Sequence, residues 1–110
     1  MLLQNGLGDA QVNPLAAELH ARALGIRRVA NGPREIAGLE PATLPFDGSA
    51  IQEFDFHIDP APGTLAIPPI DDTPVHEAVR RLAAAQEQLS RFLMPNGRIE
   101  QTCDGVCDPE

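Results

Sequence analysis

The chain has 110 residues, enough for one small domain, and carries a net charge of −8 with eight Arg and no Lys. Large aromatic side chains are scarce, because there are four Phe and neither Trp nor Tyr. Eleven Pro and nine Gly divide the rest into short pieces. The composition therefore predicts a mostly α chain with extended proline-rich segments and a small β-hairpin, a small α+β chain that is not fully self-sufficient as a globule.

Acidic residues are concentrated in one part of the chain. Residues 35–79 hold nine Asp or Glu and no Arg, whereas residues 1–34 hold four Arg and two acidic residues. Such a segment repels phosphate, which argues against nucleic-acid binding, and it suits a basic protein surface. The alternative is that these acids only keep a proline-rich loop soluble.

The sequence shows no targeting or membrane segment. No stretch is long and apolar enough to predict a membrane span. The opening residues, MLLQNGLGDA, lack the basic and apolar regions of a signal peptide. The expected location is the cytoplasm, or a virion assembled there.

Residues 13–25 predict a short helix with marked ends. Asn13 is the expected cap, Pro14 suits the first helical position, and Gly25 is expected to end the helix in a left-handed conformation. Leu15 and Leu19 belong to its apolar stripe. A helix of this length is marginal alone in water, so it needs a surface on which to pack.

Residues 26–72 predict an extended acidic strap that contains a hairpin at 51–67. The segment IQEFDFHI alternates in polarity, which is typical of a half-buried strand. Its apolar face comprises Phe54, Phe56 and Ile58, and its polar face comprises Glu53, Asp55 and His57. A two-stranded ribbon is marginal in water, so either a helix covers it or its free edge pairs with another chain.

Residues 73–94 predict a long amphipathic helix that begins at Thr73 and Pro74 and is followed by a tail at 95–110. Its stripe has heptad spacing, with a glutamine at one core position. The stripe comprises Val75, Val79, Leu82, Gln86, Leu89 and Leu93. A helix of this length is expected to bury its stripe against a partner subunit or its own copy. The alternative is a monomeric fold in which it covers the hairpin and the first helix.

Two groups of residues raise the question of metal or redox chemistry. Glu53, Asp55, His57 and Asp59 lie at a spacing that would let a strand present them to a divalent ion. The solvated face of a strand gives the same pattern, and no metal or cofactor is expected. Cys103 and Cys107 form half of a zinc site without the other half. They are expected to be free thiols in the cytoplasm and a disulfide outside it.

No nucleophile elbow or phosphate-binding loop is present in the sequence, so an enzyme is not expected. The expected function is a structural or accessory subunit, such as a cement or connector protein of a tailed phage or a minor subunit of a bacterial complex. Its partners would be other protein subunits or its own copies, held by both helices and the Phe54–Ile58 face. The alternative is a small acidic regulator, namely an inhibitor, an antitoxin or a nucleic-acid mimic. A metal-dependent enzyme using the Glu53–Asp59 face is a third hypothesis.

Overall fold

The computed structural model describes residues 1–58 and 71–109, which contain four strands and three helices. In chain order these are β1 (Leu2–Leu7), α1 (Pro14–Leu24), β2 (Arg27–Val29), β3 (Pro41–Ala42), β4 (Ala50–Asp55), α2 (Val75–Arg81) and α3 (Ala83–Phe92). The strands form one parallel sheet in the order β1-β4-β2-β3. None of the helices in these ranges has the length and apolar character needed to cross a membrane.

The prediction of a mostly α chain with an extended strap is wrong. The segment expected to reach across a partner supplies β2, β3 and β4 of the chain's own sheet. The strands of 26–72 are short and separated by Pro and Gly, so they carry little local signal. They are stabilised by pairing with each other and with β1, which lies 48 residues before its partner in β4. The result is a small α+β globule.

Strand β4 lies inside the sheet, between β1 and β2. Five consecutive residues, 50–54, are buried, as expected for a parallel strand covered on both faces. The prediction of a half-buried strand with a free edge is therefore wrong. The expected return strand of the hairpin falls within 59–70 and lies outside the described residues.

The helices cover opposite faces of the sheet. Ile51 packs against Ala21 of α1, whereas Phe54, on the other face of β4, packs against Val75 and Val79 of α2. Gly6 of β1 faces the same two valines, and a methyl group at this position would collide with them. Glycine thus allows α2 to approach β1 closely.

Helix α1 has the ends that its sequence indicates. The Asn13 side chain accepts a hydrogen bond from the backbone of Leu15 at 2.9 Å, and Pro14 occupies the first turn. Gly25 follows in the left-handed conformation, with φ of 64°. The Ile26 amide donates back to the Ala21 carbonyl, which turns Ile26 into the core.

The single long helix expected at 73–94 is two helices. Leu82 adopts an extended conformation, with ψ of 123°, and separates α2 from α3. Helix α2 begins at Val75. The Thr73 hydroxyl donates to the Gly8 carbonyl and does not cap α2. The break changes which side of α3 faces the sheet, so the heptad stripe does not continue along one surface.

Candidate functional site

The outer face of α1 is mostly apolar and holds no Asp, Glu, Lys or Arg. Its residues are spaced i, i+3, i+4, i+7 and i+8, so they share one side of the helix. We call this surface the α1 face; it comprises Ala16, Leu19, His20, Ala23 and Leu24, all exposed. Leu19 and Leu24 are 55% and 56% exposed. The one polar member, His20, lies with Nδ1 at 2.9 Å from the Ala16 carbonyl oxygen. Such a surface can bury apolar area against another protein, and it offers no charge for a ligand to recognise.

The charged residues of α1 point away from this face. Glu18 lies on the sheet side of the helix and is buried, and Arg22 pairs with it across one turn at 3.5 Å. The Arg22 guanidinium also donates to the Ala37 carbonyl at 2.9 Å. Both charges of the helix are thus bound within the fold, which leaves the opposite side apolar.

Glu18 belongs to an ion cluster on the α1 side of the sheet, together with Arg34 and Glu53. Arg34 bonds Glu53 with both Nε and Nη2 at 2.9 Å, and the same Nη2 bonds Glu18 at 2.6 Å. The Glu53 side chain is only 2% exposed. Because a buried carboxylate is costly without a partner, Arg34 is the residue that permits two acids under α1.

The pKa of Arg34 is raised above its ordinary value. Partial burial acts to lower the pKa, but the hydrogen bonds and negative charges of Glu53 and Glu18 outweigh it. A raised folded-state pKa means that the stabilisation is fully present below the unfolded-state pKa and is lost only as pH rises through the folded value. Arg34 therefore keeps its positive charge throughout the neutral range.

Helix α3 and the turn that follows it expose a second apolar surface on the other side of the sheet. We call it the α3 ridge; it comprises Leu89, Leu93 and Met94, which are 42%, 70% and 62% exposed. Its flanks are charged, unlike those of the α1 face. Arg91 bonds Glu87 at 2.5 Å and Glu100 at 2.6 Å beside the ridge.

The ridge faces outward because glutamines hold the inner side of α3. Gln88 is 1% exposed and accepts a hydrogen bond from the Gln4 amide of β1 at 2.9 Å. Gln88 in turn donates to the Glu100 carbonyl at 3.0 Å, and Gln4 also donates to the Ala85 carbonyl at 3.0 Å. These bonds fix Ala85 and Gln88 on the sheet, and the leucines take the opposite side.

The predicted interface residues therefore divide into two groups. Val75 and Val79 are buried in the chain's own core, and Leu82 packs against the same cluster. Phe54 is also in that cluster, with Phe56 and Ile58 packed against it. Four of the predicted residues are exposed, namely Leu19, Gln86, Leu89 and Leu93. Leu15 is partly buried.

The candidate metal residues do not converge. Glu53 is held by Arg34 inside the fold, whereas Asp55 and His57 lie at the end of β4, with Oδ2 and Nδ1 4.0 Å apart. The His57 ring pairs with Asp108 of the tail. Asp59 lies outside the described residues, and within those that are described no three His, Cys, Asp or Glu side chains are grouped to hold a metal.

One further contact was not expected from the sequence, and the sequence leaves the state of the two cysteines open. Asp9, buried after β1, accepts from the amides of Gln11 and Val12 and pairs with His76 Nδ1 at 2.9 Å, which links the β1–α1 turn to α2. Cys103 and Cys107 form a disulfide, one of the two states that the sequence left open. The bonds of Asp9 to the two amides that follow it could be expected from the local sequence. Its pairing with His76, 67 residues away, could not, because no local pattern indicates it.

Comparison with known proteins adds no family or relative. Models of protein families, curated protein sequences and solved structures were compared with this chain, and none of them matched.

Proposed function

We propose that the protein is a non-catalytic accessory subunit that docks onto a partner protein of a larger assembly through the α1 face. The observation that carries this proposal is the exposure of an uncharged apolar helix face on a helix whose two charged residues are bound inside the fold. Large leucines alternate with Ala16 and Ala23 along this face. Such alternation suits close packing against a partner helix, because ridges of large residues fit between small ones.

The α3 ridge supports a position between two neighbours. Since α1 and α3 cover opposite faces of the sheet, the α1 face and the α3 ridge point in different directions. Each surface is short, and the α1 face runs about 12 Å along its helix. A stable pair of proteins normally buries about 800 Å² on each partner. Two small surfaces therefore favour a subunit held at several points over a free dimer.

The acidic segment contributes less to this proposal than its sequence indicated. Glu35 bonds Arg28 at 2.6 Å, Glu53 bonds Arg34, and Glu77 pairs with Arg80. Three of the nine acids of 35–79 are thus paired with Arg within the chain. The docking surface that we propose is apolar, and a basic partner surface opposite this segment is not required.

Substitution of Leu19 by Asp tests the proposal in the native source. The variant replaces the wild-type gene, and the share of the protein that migrates with a larger assembly is measured by sedimentation of the cell extract. We expect Leu19→Asp to lower this share at least tenfold, because it places a charge within the apolar contact.

The matched control is Thr43→Asp, which adds the same charge at an exposed position outside both surfaces. We expect Thr43→Asp to sediment as the wild type does. Circular dichroism of both purified variants should match that of the wild type. The proposal is wrong if the wild type sediments as a free monomer, or if Leu19→Asp stays in the assembly.

A further inference from the structure

The C-terminal tail is attached to the end of β4 at three adjacent places. Cys107 is 2% exposed and packs in the cluster around Phe54. Its carbonyl accepts a hydrogen bond from the Asp55 amide at 3.0 Å. The next residue, Asp108, pairs with the ring of His57. Residues 107 and 108 thus form a clamp over the carboxyl end of β4.

The disulfide decides whether the clamp is held in place. The bond between Cys103 and Cys107 closes a short loop with a sequence separation of 4. The chain that leads into the loop is fixed independently, because the Thr102 hydroxyl donates to the Ala84 carbonyl at 2.8 Å. Ile99 exchanges two backbone hydrogen bonds with Phe46, at 2.8 and 3.0 Å. The Gln101 side-chain amide also donates to the Cys103 and Gly105 carbonyls, at 3.0 and 2.6 Å. Residues up to 105 therefore have attachments other than the disulfide, and the position of residues 106–109 is the part that we expect to depend on it.

The two cysteines of the disulfide differ in exposure. Cys103 is only partly buried, whereas Cys107 lies in the core. Both cysteines of the chain are used in this bond, so no third thiol competes for it. A thiol from solvent reaches the sulfur of Cys103 more easily, and Cys107 is then the leaving group.

We propose that the Cys103–Cys107 disulfide is a redox-reactive site, and that its reduction by a dithiol releases the tail from the end of β4. One thiolate of the dithiol attacks Sγ of Cys103, which breaks the protein disulfide and forms a mixed disulfide. Cys107 leaves as a thiolate and takes a proton from water. The second thiol of the reagent then displaces Cys103, which becomes a thiol, and the reagent becomes a cyclic disulfide. This site is independent of the α1 face.

Hydrogen exchange of the Asp55 amide tests the proposal on the full chain, with dithiothreitol as the dithiol. Its addition should raise the intact mass by two hydrogens and speed exchange at Asp55 at least tenfold, because that amide loses its acceptor. The Ala50 amide, which donates to the Met1 carbonyl at the other end of β4, is the internal control and should change less than twofold.

Cys103→Ser provides the second comparison, since it removes the disulfide and leaves the buried Cys107 in place. We expect its Asp55 amide to exchange at the rate of the reduced wild type, with or without dithiothreitol. Equal Asp55 exchange in the oxidised and reduced wild type would overturn the proposal. Protection of Asp55 in Cys103→Ser equal to that in the oxidised protein would also overturn it.

Discussion

Helices α1 and α3 have similar lengths, 11 and 10 residues, yet they attach to the sheet by different means. α1 places Ala21 on the core and is held at its edge by the ion cluster of Glu18, Arg34 and Glu53. α3 is held by the hydrogen bonds of Gln88 and Gln4. In both helices polar residues take part in the inner contact, and large apolar residues remain outside.

The difference lies in what surrounds the exposed residues. The α1 face holds no Asp, Glu, Lys or Arg, because Glu18 and Arg22 of its helix are paired within the fold. The α3 ridge is flanked by the ion pairs of Arg91 with Glu87 and Glu100. An uncharged face loses little hydration when it is buried, whereas charged flanks must be paired or left in water. This contrast is why we assign the principal contact to α1.

The largest effect on stability is expected from Arg34→Met. This substitution leaves Glu53 buried without its cation and leaves Glu18 with only Arg22 at 3.5 Å, which costs about 3–5 kcal/mol of unfolding free energy. Urea denaturation measures the change. Glu87→Gln is the control, because Glu87 and its partner Arg91 are both exposed and the loss of this pair should cost only a small fraction of that amount. A loss below about 1 kcal/mol in Arg34→Met would mean that α1 does not depend on the cluster.

A smaller loss is expected from Gln88→Leu on the other side of the sheet. The Glu100 carbonyl loses its donor and the Gln4 amide loses one acceptor, which costs about 1–3 kcal/mol. Gln86→Leu is the matched control, since Gln86 is exposed and a change within about 0.5 kcal/mol is expected. If the heptad pattern set the orientation of α3, the two variants would exchange these results.

Loss of the disulfide is expected to lower stability by about 2 kcal/mol, the value for closing so short a loop in the unfolded chain. Thermal or urea unfolding of Cys103→Ser against the oxidised wild type measures it. The transition should remain cooperative, because the ion cluster and the glutamine bonds do not depend on the tail. A loss of cooperativity would show that the tail holds the whole fold.

The smallest effects on the free protein are expected at the exposed surfaces themselves. Leu19→Ala and Leu93→Ala should each change the unfolding free energy by less than about 0.5 kcal/mol, since both side chains are more than half exposed. Ala21→Ser, on the inner side of α1, is the contrast and should cost more. Equal effects at Leu19 and Ala21 would contradict the assignment of the two sides of the helix.

The sequence indicated those features that local chemistry determines. The caps of α1 could be predicted because Asn13, Pro14 and Gly25 act on neighbouring backbone groups. The parallel sheet could not be predicted, because β1 pairs with a strand 48 residues away. On its own, the sequence of β1 looks like a polar chain end. Glu53 also made β4 look half-exposed, although it is buried.

The candidate site was partly predictable for the same reason. Leu19, Leu89 and Leu93 stood out as apolar residues at helical spacing. Their separation from Val75 and Val79 could not be foreseen, because it depends on the extended conformation of Leu82 and on the bonds of Gln88 to the sheet. A heptad pattern alone does not distinguish a core stripe from a docking surface.

Site-specific photocrosslinking tests directly whether the α1 face contacts another protein. A photoreactive amino acid replaces Leu19 on the α1 face, and in a second protein it replaces Arg81, an exposed residue of α2 whose side chain is 79% exposed. Both are irradiated in the native source, and the adducts are identified by mass spectrometry. The account predicts one discrete adduct with a different protein from position 19 and none from position 81. Adducts of equal yield from both positions, or an adduct from position 19 with a second copy of this chain alone, would contradict it.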